Sequence, residues 1–303
     1  MISVRLVTVA QNNILICKAI KTIRYLTDQN LNTTINMIEK RELHIEAAKV
    51  LMNQHLNGSR FDSLPQKIEP KNEHDAYAIQ SELFKLRKEN LGDLVGYKVA
   101  LTSEVMQNML RFPSPFSGPL HRNLIYTDGK DLNRKDYGRL CIECEIAAVL
   151  KTDLPKKNYL YTQEDIGKAI DTIAPALEVV DDRHADYDEI HSKVLTLIAD
   201  NAWNAGVIHG RMRKDWHDLD LGKITGEVTV DGHTTGKGIG TDVLGHPFNA
   251  LAWLANKVIS QGQEIKAGML VMTGTMIKTQ FVQKGERLNF TIPELGSVTI
   301  EVN

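Results

Sequence analysis

Cysteine is scarce in this 303-residue chain: Cys17, Cys141 and Cys144 are the full complement. Three cannot build a disulfide framework, which argues for a reducing compartment, the cytoplasm, over secretion. Charge of either sign is barely in surplus. With 36 Lys and Arg against 38 Asp and Glu, the net charge is -2 and the pI near 6.6. Nucleic acid and anionic membranes reward clustered Lys and Arg, so neither is an expected partner. Long apolar runs are missing too, none reaching the ~20 residues that a membrane span requires. There is no internal repeat and no low-complexity tract. What remains is an ordinary globular composition, 42% hydrophobic and 24% charged, long enough for a sizeable core and two unequal domains. Acids are also absent at the amino terminus, where none precedes Asp28 while Arg5, Lys18, Lys21 and Arg24 are basic. A targeting peptide is disfavoured, because "LVTVA" is short, is broken by "QNN" and lacks a small-residue cleavage pattern. Residues 1–36 read instead as an extension, disordered or not native, upstream of a start at Met37.

Helical signals come first. Ile45, Ala48, Val50, Leu51 and Leu56 recur at near-helical spacing, and "NEHDAYAIQSELFKLRKENLG" repeats the pattern with Ala76, Ile79, Gln80, Leu83 and Leu86 before Gly92. Asn72 is placed to cap that second helix. From Leu94 the texture changes to short β-prone runs, including "LVGYKVAL", "RLCIECEIAAVL", "APALEVV", "AGVIHG", "GMLVMTG" and the pair "RLNFTI" and "SVTIEVN" across a "PELG" turn. Two helices are predicted among them, around "TQEDIGKAIDTI" and "PFNALAWLANKVISQG". The pattern predicts an α+β fold, with a small helical part over 37–92 and a larger β-rich body over 93–303.

The stretch "CIECEIAAVL" carries acids where a core strand should have none. On a strand, Ile142, Cys144, Ile146 and Ala148 share one face, while Cys141, Glu143, Glu145, Ala147 and Val149 share the other. Two carboxylates about 6 to 7 Å apart repel by roughly 2 to 3 kcal/mol at an effective dielectric near 20, and desolvation adds to that cost. Either the face meets water or a cation sits between them. Glu178 in "IAPALEVVDDR" is a third acid within an apolar run, and Lys98 in "LVGYKVALTS" is the matching anomaly of opposite sign. Three carboxylates and one lysine leave a charge of about -2, which a hard, oxygen-liganded ion such as Mg²⁺ or Mn²⁺ would neutralise.

"GYKVALTS", "IECEIAAVL", "PALEVVDDR", "IADNAWNAG", "GKGIGTDVLGHPFNALAWLAN" and "GMLVMTGT" follow one another in an order and at gaps that resemble a known family. It is the 2-keto-4-pentenoate hydratase and 4-oxalocrotonate decarboxylase branch of the fumarylacetoacetate hydrolase superfamily, and the likeness covers about residues 43 to 303. The resemblance implies a β-rich mixed roll with a helical amino-terminal part, a homo-oligomer, and Mg²⁺ or Mn²⁺ held by Glu143, Glu145 and Glu178. Lys98 matches the family's active-site lysine. The activity it implies is that of a metal-dependent hydro-lyase on a small 2-oxo acid. Its expected reaction is hydration of a 2-hydroxy-2,4-dienoate to a 4-hydroxy-2-oxo acid, in aromatic compound catabolism. Decarboxylation, acylpyruvate C–C hydrolysis and a weakened or non-enzymatic 2-oxo-acid binder are the alternatives. The family-like segments place Leu101, Ser103, Arg183, Asp200, Gly238, Gly240 and Thr275 as substrate-binding residues. Where many such hydratases carry an Asp after a "G-x-L" turn, "SGPLHRNLIY" offers Asn123, whose amide is no general base, with His121 two residues earlier as a substitute.

Other motifs carry less. Cys141 and Cys144 spell C-x-x-C, but three positions along a strand put their side chains on opposite faces, against zinc or dithiol chemistry. "GKGIGTDVLG" matches neither G-x-G-x-x-G nor a phosphate loop ending in Lys-Ser/Thr. It reads as backbone approaching substrate near the helix that begins at Pro247. "DDRHADYDE" lacks the glycine and spacing of a calcium loop and reads as a solvated helix start.

Overall fold

Asn72 starts the second helix by accepting the Asp75 N–H on its side chain, and the Gly92 N–H closes the far end on Lys88 O, so the caps sit where the sequence placed them. The computed structural model describes residues 34–303. The expected extension over 1–36 lies almost wholly outside those residues. Helix α1 spans 34–56 and α2 spans Glu73–Leu91. Ala47, Ala48 and Leu51 of α1 pack with Ala76, Ile79 and Leu83 of α2 in one cluster.

The body that follows is β-rich. In chain order it comprises β1 (Leu94–Ala100), α3 (Glu104–Leu110), β2 (Phe116–His121), β3 (Ile125–Thr127), β4 (Lys130–Leu132), β5 (Leu140–Leu150), α4 (Gln163–Ala169) and β6 (Ile170–Asp181). It continues with α5 (Val194–Ala199), β7 (Asn204–His209), β8 (Thr225–Val230), β9 (His233–Ile239), α6 (Pro247–Ser260), β10 (Leu270–Met272), β11 (Gln280–Phe281), β12 (Arg287–Ile292) and β13 (Gly296–Val302). A mixed sheet runs β2-β1-β10-β5-β6-β7-β3, with β11 also on β5, and a second sheet runs β4-β13-β12-β8-β9. This is the α+β class with a β-rich body that the pattern predicts.

The long β5 and β6 form the spine. Their antiparallel register joins Cys141 to Val180 and Ile173 to Ala148. Alternation splits their side chains between two environments. Ile142, Cys144, Ile146, Leu177 and Val179 pack on the second sheet and α6, with Phe248, Leu251, Phe290 and Ile300. Cys141 and Val180 belong instead to the cluster containing α1 and α2. The two buried cysteines therefore point to opposite faces, and no disulfide links them. Pro247 begins α6 and His246 Nδ1 accepts the Phe248 N–H, so that histidine is a cap.

Two expectations are corrected here. "TQEDIGKAIDTI" is helical only through Ala169, because β-branched Ile170, Thr172 and Ile173 open β6 and pair with β5. "DDRHADYDE" is not a solvated helix start: Asp182 and Arg183 are buried. Asp182 accepts from Arg139 Nε at 2.7 Å and from Tyr187 OH at 3.0 Å. Charge that looks surface-bound in sequence is neutralised inside the fold. Among the described residues, no helix is long and apolar enough to cross a membrane.

Candidate metal centre

Strand β10 ends at Met272, opposite Ala147 of β5, and β1 pairs with it only through Gly96 and Tyr97. Past that point the sheet opens between β1 and β5, and the acids lie along the opening. Glu143 and Glu145 project from one face of β5, and Glu178 of β6 stands directly across the ladder from Glu143. Each of the three offers a carboxylate oxygen, all within 4.8 Å of one another. Lys98, the first β1 residue beyond the β10 pairing, reaches across the gap and places Nζ 3.1 Å from Glu178 Oε1.

Each carboxylate has one oxygen committed. Glu145 Oε2 accepts the Gly274 N–H at 2.8 Å, Glu178 Oε1 also accepts from Asn204 Nδ2 at 2.8 Å, and Glu143 Oε1 accepts from Thr279 Oγ1 at 3.1 Å. The second oxygens of the two fully buried acids, Glu145 Oε1 and Glu178 Oε2, have no partner. A buried carboxylate oxygen without a donor costs free energy unless it meets a cation. Burial, then the charge of Glu178, pushes Glu143 up to about 7. Glu145 is driven well above the usual carboxylate range by burial and by Glu178 and Glu143, which outweigh the Gly274 N–H. Orphaned oxygens, an all-carboxylate donor set and a negative surplus fit a hard divalent cation.

Two glycines make the geometry attainable. Gly274 has φ +89°, and a Cβ there would lie 2.4 Å from Thr102 Cγ2, so only glycine can turn its N–H onto Glu145. Gly118 of β2 stands opposite Lys98. A Cβ on it would lie 1.9 Å from Asn201 Oδ1 and 3.1 Å from Lys98 Cε. Asn201 is held by its own bond to Pro119 O at 3.0 Å. Gly118→Ala is therefore expected to displace Asn201 and Lys98 together, destabilising the fold by about 1–3 kcal/mol and lowering activity more than tenfold. Chemical denaturation and steady-state kinetics check both.

The other predicted site residues divide. Thr275 Oγ1 bonds the backbone of Cys144 and Ile277, pinning the loop that carries Gly274 to β5. Gly238 packs on the same loop, where a Cβ would lie 1.9 Å from Met276 O, whereas Gly240 is pressed against Leu221 O. Leu101 is buried with φ 62°, and Ser103 caps α3 through the Met106 N–H. Arg183 and Asp200 form a buried pair, NH2 to Oδ2 at 2.5 Å.

His121 and Asn123 are not brought to the glutamates. His121 falls on the face of β2 opposite to Gly118, about 10 Å along the strand. Its ring stacks on Phe84 at 4.1 Å and Nδ1 lies 3.0 Å from Gly92 O. Burial lowers its pKa to about 4, leaving it neutral near pH 7. Asn123 is exposed and donates to Asn90 O at 3.1 Å. The structure gives these two other surroundings: His121 ends β2 on its far face, and Asn123 lies in the tight turn at residues 122–124. Sequence reasoning missed Gly274, Thr279, Asn204 and His55. Only Asn204 left a signal, as a polar residue opening an apolar strand.

Comparison with known proteins is consistent with this geometry. Residues 102–303 match the family model described as fumarylacetoacetate (FAA) hydrolase C-terminal. A 2-hydroxyhexa-2,4-dienoate hydratase of Comamonas testosteroni is 32% identical over 75% of this chain and 85% of its own length. A 2-oxo-hept-4-ene-1,7-dioate hydratase of Escherichia coli is 33% identical over 74% of this chain and 85% of its own. Among solved structures, the 4-oxalocrotonate decarboxylase of Pseudomonas putida G7, complexed with magnesium and adipate, superposes with a TM-score of 0.78 at 30% identity. The match covers 87% of this chain and 98% of that one.

Proposed function

The chain belongs to the fumarylacetoacetate hydrolase family, and from that premise we propose that it is a divalent-metal-dependent hydro-lyase. Its substrate is a 2-hydroxy-2,4-dienoate, the enol of a small 2-oxo acid, which it hydrates to a 4-hydroxy-2-oxo acid. The observation that carries this reading is the pair of buried, unpartnered oxygens on Glu145 and Glu178 beside Lys98. Glu143, Glu145 and Glu178 would hold Mg²⁺ or Mn²⁺. When bound, such a cation supplies Lewis acidity toward the carboxylate and 2-oxygen of the substrate. Lys98 commits one N–H to Glu178. Its remaining protons are free to stabilise negative charge developing on the 2-oxygen or to deliver a proton to the substrate carbon. Thr279, Gly274 and Asn204 orient one oxygen of each glutamate and leave the other for the cation.

The test is loss of 2-hydroxypenta-2,4-dienoate absorbance with Mg²⁺, compared with the same protein after chelation. Absence of metal-dependent turnover across a panel of 2-hydroxydienoates would refute the reading. Decarboxylation is the second reading, favoured by the superposition on 4-oxalocrotonate decarboxylase, and CO₂ release from a vinylogous keto acid distinguishes it. Self-association also belongs to this proposal: Ile35, Met37 and Ile38 on α1, with Val105 and Met109 on α3, are exposed apolar side chains. Light scattering reads the mass directly.

Metal binding should depend on pH with a definite sign. Glu143 has its pKa raised from 4.5 to about 7 in the folded protein. Over that interval the folded state holds a proton that the unfolded state has released, so metal-free stability falls as pH rises. A bound cation displaces that proton. The rise in thermal midpoint caused by Mg²⁺ is expected to be small near pH 5 and larger near pH 8. A Mg²⁺ effect independent of pH contradicts the role of Glu143 as a ligand.

A further inference from the structure

Five of the nine left-handed non-glycine residues among those described fall in two short segments. Arg183 and His184 have φ of 46° and 57°, and Asn201, Ala202 and Trp203 have φ of 55°, 46° and 62°. Such backbone is costly for an L-residue and persists only where its surroundings hold it. Both segments are held by one stretch of the helical part, the end of α1 and the loop that follows. His55 Nε2 donates at 2.5 Å to Oδ1 of Asp200, immediately before the second segment. Arg60 Nε donates to His184 O at 2.9 Å, and the Phe61 N–H to Arg183 O at 3.0 Å. The Phe61 ring meets that of Trp203 edge-on, with centroids 5.0 Å apart.

The second segment leads from Asp200 into the metal centre. At its far end Asn204 Nδ2 lies 2.8 Å from Glu178 Oε1. Asn201 fills the space beside Gly118 and Lys98, where a Cβ on Gly118 would lie 1.9 Å from its Oδ1, and its Nδ2 donates to Pro119 O at 3.0 Å. At the near end Asp200 is fully buried, and its second oxygen accepts from Arg183 Nη2 at 2.5 Å. Burial alone would raise the Asp200 pKa, but His55, then Arg183, outweigh it and hold the acid ionised. The Trp203 N–H donates to Asp200 O at 3.2 Å, so the turn moves with Asp200. Among the described residues, the bond from His55 is the one that reaches the Asp200 side chain from the helical part.

We propose that His55 is a positioning residue for the metal centre: bonded to Asp200, it fixes the turn over 200–204 and with it the Asn204 amide that orients Glu178. The inference rests on the reading of Glu143, Glu145 and Glu178 as metal ligands. It gives the helical part a task in the site beyond packing, although His55 touches neither metal nor substrate. Without its bond, Asp200 follows Arg183 alone, and Glu178 Oε1 is left to Lys98.

Titration of the full chain with Mn²⁺, followed by loss of the free-ion electron paramagnetic resonance signal, tests this without turnover. Groups that orient a metal ligand are worth about 10- to 100-fold in affinity, and His55 stands one step further out, so His55→Ala is expected to weaken Mn²⁺ about 3- to 10-fold. His55→Gln keeps an N–H donor and is expected to recover most of that loss. In a chain that already carries Asn204→Ala, His55→Ala is expected to add almost nothing, because the path ends at that amide. A histidine that merely supports the fold would weaken both backgrounds by the same factor. Should His55→Ala not fold, His55→Leu refills the volume and is read in its place, with the same expected loss. Unchanged Mn²⁺ affinity, or equal losses with and without Asn204, overturns this inference and leaves the metal centre standing. Absence of Mn²⁺ binding by the unsubstituted chain sinks the metal reading, and this inference with it.

Discussion

Glu145→Gln is expected to abolish metal-dependent turnover, by on the order of 10³-fold or more, while leaving the metal-free fold as stable as before or more so. The two halves of that expectation come from one fact. Glu145 is completely buried, and burial and its two acidic neighbours oppose its ionisation. Glutamine keeps the shape and an oxygen for the Gly274 N–H, but carries no charge to repel Glu143 and Glu178. Its amide also places a donor where the orphaned Glu145 Oε1 now points. The variant should unfold at an unchanged or higher temperature without metal, and lose the Mg²⁺-induced rise. A large drop in metal-free stability would mean that the carboxylate is a structural element, and retained Mg²⁺ response would remove it from the ligand set. Glu145→Ala is the poorer test, because it confounds the charge with a cavity.

What the sequence revealed of this site was the misplaced charge. Glu143, Glu145, Glu178 and Lys98 are conspicuous because an ionised group in a β-prone apolar run has no local explanation, and a period of two puts the paired acids on one face without knowledge of the fold. Glu178 could be associated with them by composition, but its position opposite Glu143 is a property of the β5–β6 register, which no local pattern encodes. Thr279 and Gly274 were invisible for the same reason: a hydroxyl and a backbone N–H look ordinary until the chain is folded back. Arg183 shows the converse failure. Five acids and two basic residues in "DDRHADYDE" suggest solvent, whereas the fold buries Asp182 and Arg183 by pairing them with Arg139 and Asp200. His121 and Asn123 misled through adjacency, since three residues beyond Gly118 the strand presents its other face and then ends. The helix boundary at Ala169 was obscured because "AIDTI" satisfies both helical and strand patterns, and only pairing with β5 decides it.

Lys98→Met carries the second large expected effect, and here function and stability should fall together. Lys98 is 2% exposed and its partner Glu178 is fully buried. Removing one member of a buried pair costs about 3–5 kcal/mol, because the survivor is left as an uncompensated charge. Methionine fills the stem volume beside Gly118, so the loss reports the charge and not a void. The variant should therefore lose about 3–5 kcal/mol in chemical denaturation without metal. Mg²⁺ should restore more stability to it than to the unsubstituted protein, since the pocket now holds three acids and no lysine. Turnover should stay down by two or more orders of magnitude even at saturating Mg²⁺, because in the mechanism proposed above the ammonium is the group that stabilises the 2-oxygen or delivers the proton. Combining Lys98→Met with Glu178→Gln removes both charges and is expected to recover most of the stability, a coupling of about 2 kcal/mol or more in a double-mutant cycle. Additive losses in that cycle would show that Lys98 and Glu178 do not depend on each other, and the electrostatic account of the pocket would fail at its centre.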